Sequence, residues 1–107
     1  DVKLELAEVF GKKLFCYQDG DIRFNVVNTG FREITGVQVR TIDEQLQEFK
    51  SDVAGSRMPI GGTFEHSFAF NKDGKVHVEL VPYVTAGGTQ QYCVQKRLIQ
   101  DILPDCG

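Results

Sequence analysis

Histidine, serine and cysteine are the residues of this 107-residue chain with which covalent or metal chemistry could begin, and the histidines are only two. His66 falls in phase with Phe64, Phe68 and Phe70, whereas His77 is out of phase with Val76 and Val78. Successive side chains of an extended chain point to opposite faces. If the two segments pair through the Asn71–Gly74 loop, the rings sit on different faces, and a shared metal site needs ligands converging at about 2 Å. A core or interface histidine is the reading at position 66. Nucleophilic catalysis would need Ser51, Ser56 or Ser67 beside one of these rings. Ser67 follows His66 directly, which separates them across a strand, and no G-x-S-x-G is present. Asp19, Asp21 and Asp73 are loop carboxylates of the kind that surface modules use for calcium, yet Asp-Gly at a hairpin is explained by turn geometry alone. No catalytic residue, cofactor or metal is therefore assigned, and the chain is not expected to be an enzyme.

The cysteines are Cys16, Cys93 and Cys106, with no C-x-x-C and no zinc spacing. They are either idle thiols or one disulfide with a spare. Cys106 is the penultimate residue, where a free thiol has no packing purpose, and this favours a bridge.

The elements that must position these residues are read from period-2 alternation. In Asp21–Gly30, Ile22, Phe24 and Val26 alternate with more polar neighbours, and Asn28-Thr29-Gly30 supplies turn residues that tolerate positive φ. The pattern resumes at Gly36–Arg40. Upstream, Val2, Leu4 and Leu6 open a strand whose apolar phase slips, so a bulge or kink is expected near Glu8. Leu14–Tyr17 is a short extended piece and Gln18-Asp19-Gly20 a turn. Asp43–Val53 is ambiguous: Leu46, Phe49 and Val53 suit a short amphipathic helix capped by Asp43, but a turn followed by an edge strand through Phe49 is favoured. Ala54–Gly62 is loop. Phe64, His66, Phe68 and Phe70 share one face of a strand, Asn71–Gly74 reads as a hairpin loop, and Val76, Val78 and Leu80 continue as a core strand. Pro82 is expected at an edge or bulge. Ala86–Thr89 is a turn before a strand over Gln90–Gln95, and Leu98, Ile99, Ile102 and Leu103 dock the tail.

About seven antiparallel strands with turns every eight to twelve residues predict one domain over residues 1–107, an all-β, immunoglobulin-like β-sandwich without the Cys-Trp-Cys core of antibody domains. Alternation predicts Phe24, Val26, Val37, Val39, Phe64, Phe68, Val76 and Val78 to be buried. In such a sandwich the first and last strands run side by side and parallel, so Cys16–Cys106 is the first-ranked bridge, ahead of Cys93–Cys106 and Cys16–Cys93.

A net charge of −3 gives no electrostatic reason to expect nucleic acid, and Lys12-Lys13 and Lys96-Arg97 read as solvated pairs. The apolar runs are too short to span a bilayer, so no membrane contact is expected from this segment itself. The chain opens directly on strand-like sequence, as expected of a mature chain or excised piece whose targeting segment is gone. No N-x-S/T sequon occurs.

Several stretches together resemble a known family: Gly20-Asp21-Ile22-x-Phe24-x-Val26-x-Asn28-Thr29-Gly30, Ile34-x-x-Val37-x-Val39, Met58-Pro59-Ile60-Gly61-Gly62-x-Phe64, and Lys72-Asp73-Gly74 before Val76-x-Val78. The pattern, over residues 20 to 83, resembles the CARDB-type cell-adhesion modules of prokaryotic surface proteins. It is also similar to the Ig-like globular domains of archaeal pilin-like and archaellum-associated proteins. The hydrophobic N-terminal helix of pilins is not in this sequence, and the middle loop is longer than the module usually needs. The resemblance implies an extracellular, cell-surface structural or adhesion module whose partners are other surface or filament proteins. The alternative is an accessory ligand- or carbohydrate-binding domain of a larger secreted enzyme.

Overall fold

The structure is a computed structural model that describes residues 1–43, 45–71 and 77–107. Its strands in chain order are β1 (Leu4–Leu6), β2 (Glu8–Val9), β3 (Lys12–Lys13), β4 (Phe15–Gln18), β5 (Asp21–Asn28), β6 (Gly36–Ile42), β7 (Glu48–Asp52), β8 (Thr63–Ala69), β9 (His77–Ala86), β10 (Thr89–Tyr92) and β11 (Leu98–Gln100). The fold is all-β, two antiparallel sheets packed as a sandwich. In the first sheet β5 is central: β1 and β4 follow one another along one side and β8 pairs the other. In the second, the order is β7, β6, β9, with β10 and then β11 along the far side of β9.

The core lies where alternation put it. Ile22, Phe24 and Val26 of β5 meet Val37 and Val39 of β6 and Val78 and Leu80 of β9, all buried, with Leu4, Phe15, Ile34 and Met58 closing the ends. Phe64 and Phe68 depart from the expectation. They face the core but are only half-buried, because β8 is an edge strand with no neighbour beyond it among the described residues. Val76 lies outside the described residues. The 43–53 region resolves to the edge strand β7, not a helix.

Three local readings are corrected. The phase slip after Leu6 is no simple bulge. Ala7 and Leu14 both bond Asn25 of β5 and also each other, so residues 8–13 leave the edge as a projecting β2–β3 hairpin. Pro82 is fully buried within the central strand β9. Opposite it, Val37 directs its N–H to Ser56 Oγ (2.8 Å) and its carbonyl to the Val53 N–H, so this pair exchanges no ladder bonds. The Pro82 nitrogen thus faces the gap where a 3-10 turn, Val94–Lys96, separates β10 from β11, and no donor is needed there. Finally, β8 and β9 do not form a hairpin: they belong to different sheets, and the residues 72–74 of that expected turn lie outside the described residues.

Asn28 and Gly30 matter for a reason other than positive φ, which neither adopts. The fully buried Asn28 amide donates to the carbonyls of Arg32 (2.9 Å), Met58 (3.2 Å) and Pro59 (3.3 Å), while its Oδ1 accepts the Gly30 N–H (3.1 Å). One side chain thereby ties two loops to the end of β5. Gly30 is needed because a Cβ there would collide with the Asp1 carbonyl and the Lys3 nitrogen.

Candidate functional site: the open side of the sandwich

The two long sides of the sandwich differ. On one, the chain's tail returns beside β4: Tyr17 N–H donates to the Pro104 carbonyl (2.8 Å) and Cys106 N–H to the Tyr17 carbonyl (3.1 Å), in parallel pairing of Tyr17 with Asp105. Cys16 and Cys106 are joined there in a disulfide across a sequence separation of 90, the first-ranked pairing, and Cys93 is a free, half-buried thiol. Leu103 is buried beneath the returning tail and Leu98 packs on the core, whereas Ile99 and Ile102 are exposed.

On the other side, β7 and β8 are the edges of their respective sheets, and a groove of about 600 Å³ runs between them. His66 and Phe68 of β8, with Phe70 just beyond it, line one wall, and Phe64 continues their row of rings past the groove. Phe64, His66 and Phe68 stack at 5.7 and 6.2 Å with interplanar angles of 19° and 22°, and Phe70 meets Phe68 edge-on at 6.3 Å. Residues two apart on a strand share a face, which is why this row needs no long-range information to form. Phe24 of β5 backs three of the rings at 5.8 to 6.4 Å. The opposite wall is Phe49, Ser51 and Val53, with Val39 and Thr41 of β6 as floor and Asp43 at one mouth. Phe49 is 61 % exposed, the mark of an apolar residue aimed at a space left unfilled. Burial among the rings lowers the His66 pKa below its ordinary 6.5, so the imidazole is held neutral at physiological pH.

Both lips of the groove carry backbone donors that the sheets do not use. The bonds Phe70 N–H to Gly20 O and Asn28 N–H to Gly62 O fix the phase of the β5–β8 ladder. Phe64, His66 and Phe68 therefore exchange bonds with β5, and Glu65, Ser67 and Ala69 turn their amides outward. By the same parity, the Val53 N–H to Val37 O bond leaves Glu48, Lys50 and Asp52 of β7 facing outward.

The structure places the serines apart. Ser51 lines the groove with His66, Ser67 lies on the outer face of β8, and Ser56 is buried as a strut, accepting from Val37 and donating to the Val53 carbonyl (2.6 Å). His77 lies in the other sheet from His66. Its Nδ1 meets Asp101 Oδ1 at 2.6 Å and its Nε2 meets Glu79 Oε2 at 2.7 Å, and Arg97 Nε approaches the same Glu79 oxygen at 3.4 Å. The Glu79 hydrogen bond, opposed by partial burial and joined by Asp101, raises the His77 pKa. The two carboxylates hold opposite ends of one ring, a clamp fastening the segment after β11 to β9 and not a set of converging ligands. Asp19 and Asp21 flank the β4–β5 turn, and Asp73 lies outside the described residues.

Neither the groove nor the hairpin was deduced from sequence. The local hints were Phe49 on a strand read as an edge and a Phe10-Gly11 step between Val9 and Lys12. Comparison of the chain with protein-family models, curated proteins and solved structures finds no match.

Proposed function

We propose that this chain is a non-catalytic, extracellular interaction module of immunoglobulin-like type, working as a structural or adhesion domain of a cell-surface or filament-associated protein. The observation that carries this reading is the groove between two open strand edges. Outward amides on both lips and a half-buried aromatic wall form a receptor for an added extended chain, which main-chain bonds hold and side-chain pockets select. The CARDB-type sequence pattern supports the same class, and the Cys16–Cys106 bridge fits an oxidising, extracellular setting. The rings of the groove are flanked by Thr41, Asp43, Gln45, Ser51 and Asn71, polar groups beside aromatic faces, and this favours a carbohydrate- or small-ligand-binding accessory domain as the second reading.

An NMR titration separates them. A peptide of alternating valine and threonine is expected to shift the amide resonances of Glu65, Ser67 and Lys50. A saccharide panel that shifts the ring resonances of Phe68 and Phe70 but not these amides would favour the second reading. Ester hydrolysis lost on His66→Gln would overturn both.

A further inference from the structure

The β2–β3 hairpin is the one element whose shape the fold does not explain. Ala7 and Leu14 remain paired to β5, so residues 8–13 contribute nothing to the sheet and extend away from its edge. At the tip Phe10 and Gly11 have φ of 52° and 77°, the two positive values of a type I′ turn, whose usual residues are Asn and Gly. A bulky ring is unfavourable in that conformation. Phe10 is nevertheless fully exposed, at 104 %, with Val9 half-exposed beside it and Lys12 and Lys13 on the returning arm. A strained, exposed aromatic contributes nothing to the stability of its own domain.

The hairpin and the groove lie on opposite edges of the first sheet, β1 and β4 on one side of β5 and β8 on the other. They cannot meet within one molecule. Their chemistry is complementary: the described lining of the groove sets the rings of Phe49, Phe68 and Phe70 among polar side chains, carries one carboxylate, Asp43, and has no lysine or arginine, while the hairpin offers an apolar tip and two lysines.

Building on the interaction-module reading, we infer that the groove's occupant is a second copy of this chain, whose hairpin seats Phe10 against Phe49 and Phe68 with Lys12 towards Asp43, while Lys13, on the opposite face of β3, stays beside Glu8. Because knob and groove are different surfaces on opposite edges, the contact is head-to-tail, and it builds a ring where the rotation between copies closes and an open array where it does not. A six-residue hairpin buries less than the ~800 Å² per partner of a standard interface, so each contact belongs to the weak class. One phenylalanine and two lysines, offset by Glu8, are also too little for stable membrane anchoring, which takes two full signals.

Sedimentation velocity of the purified chain tests this. Association rising with concentration into the millimolar range, and weakening with salt, is expected. Phe10→Asn keeps the turn and removes the ring, and Phe49→Ser changes a largely exposed groove residue, so both variants fold. Each is expected to weaken self-association on the order of 30-fold, the loss of one aromatic anchor. Mixed together they are expected to form a 1:1 complex, because each retains the surface the other lacks. A chain monomeric throughout, association indifferent to Phe10→Asn, or variants that fail to complement would each overturn the inference. So would Phe10-dependent binding of anionic phosphatidylserine vesicles by a monomeric chain. A monomeric chain that still binds the valine–threonine peptide at Glu65 and Ser67 would overturn self-association alone and leave the interaction module standing.

Discussion

The two long sides of this sandwich solve the edge-strand problem in opposite ways. On the β4 side, the returning tail supplies hydrogen-bond partners, Leu103 fills the space beneath, and Cys16–Cys106 locks the tail in place. On the β7–β8 side no further strand follows among the described residues, and Phe49, Phe68 and Phe70 are left partly uncovered. An unpaired edge invites another chain, and proteins commonly blunt it. This chain protects one side covalently and leaves the other open. The contrast teaches that exposure on the groove side is selective, since a tail able to close an edge is present and is used elsewhere.

The contrast can be broken by unlocking the closed side. Replacing Cys16 and Cys106 together by serine releases a closed loop of about 90 residues and is expected to cost about 4 kcal/mol, with smaller losses common in practice. Chemical unfolding measures this directly, and Cys93→Ser serves as the control. A loss under 1 kcal/mol would mean that the tail holds without its bridge.

The core and the groove can be compared through two phenylalanines that touch, with ring centroids 6.4 Å apart. Phe24→Ala empties a buried site and is expected to cost about 3–4 kcal/mol. Phe68→Ala removes a ring that is only partly buried and is expected to cost about 1–2 kcal/mol. Equal losses from the same unfolding measurement would show that the groove is part of the core.

How much of this was legible in the sequence follows the range of the information. Alternation along β5 and β6 identified the inner faces because a strand's side-chain period is local. The Cys16–Cys106 pairing was expected from the adjacency of first and last strands, but β1 and β11 lie in different sheets, and it is the tail beyond β11, parallel beside β4, that brings Cys106 to Cys16. What the alternation of β8 could not carry was the identity of its neighbours. Phe64, His66, Phe68 and Phe70 alternate as a core strand does, and the lack of a strand beyond β8 among the described residues leaves them only half-buried. The sheet change between β8 and β9 was hidden for the same reason, as their sequences suit a hairpin equally well. Asn28 was recognised as special but for its backbone, when its amide makes the connections. The β2–β3 excursion registered only as a lost phase.

The smallest expected effect is in pH, where the two histidines respond with opposite sign. His66 has its pKa lowered in the fold, so its contribution is present above 6.5 and is lost as pH falls below that value. His77 has its pKa raised by Glu79 and Asp101, so its contribution is complete below 6.5 and is lost as pH rises through the folded value. Unfolding midpoints across about pH 5 to 8 are expected to show His66→Gln flattening the acid limb and His77→Gln the alkaline limb. Interchanged responses would contradict the placement of the two rings.

Residue-resolved amide hydrogen exchange on the unbound chain tests the contrast between the sides most directly. Tyr17 and Cys106, bonded across the closed edge, are expected to exchange slowly, as are His66 and Phe68, bonded to β5. Glu65, Ser67 and Lys50, turned to the open side, are expected to exchange much faster than their immediate neighbours. Slow exchange at these three, matching Tyr17, would contradict an open groove.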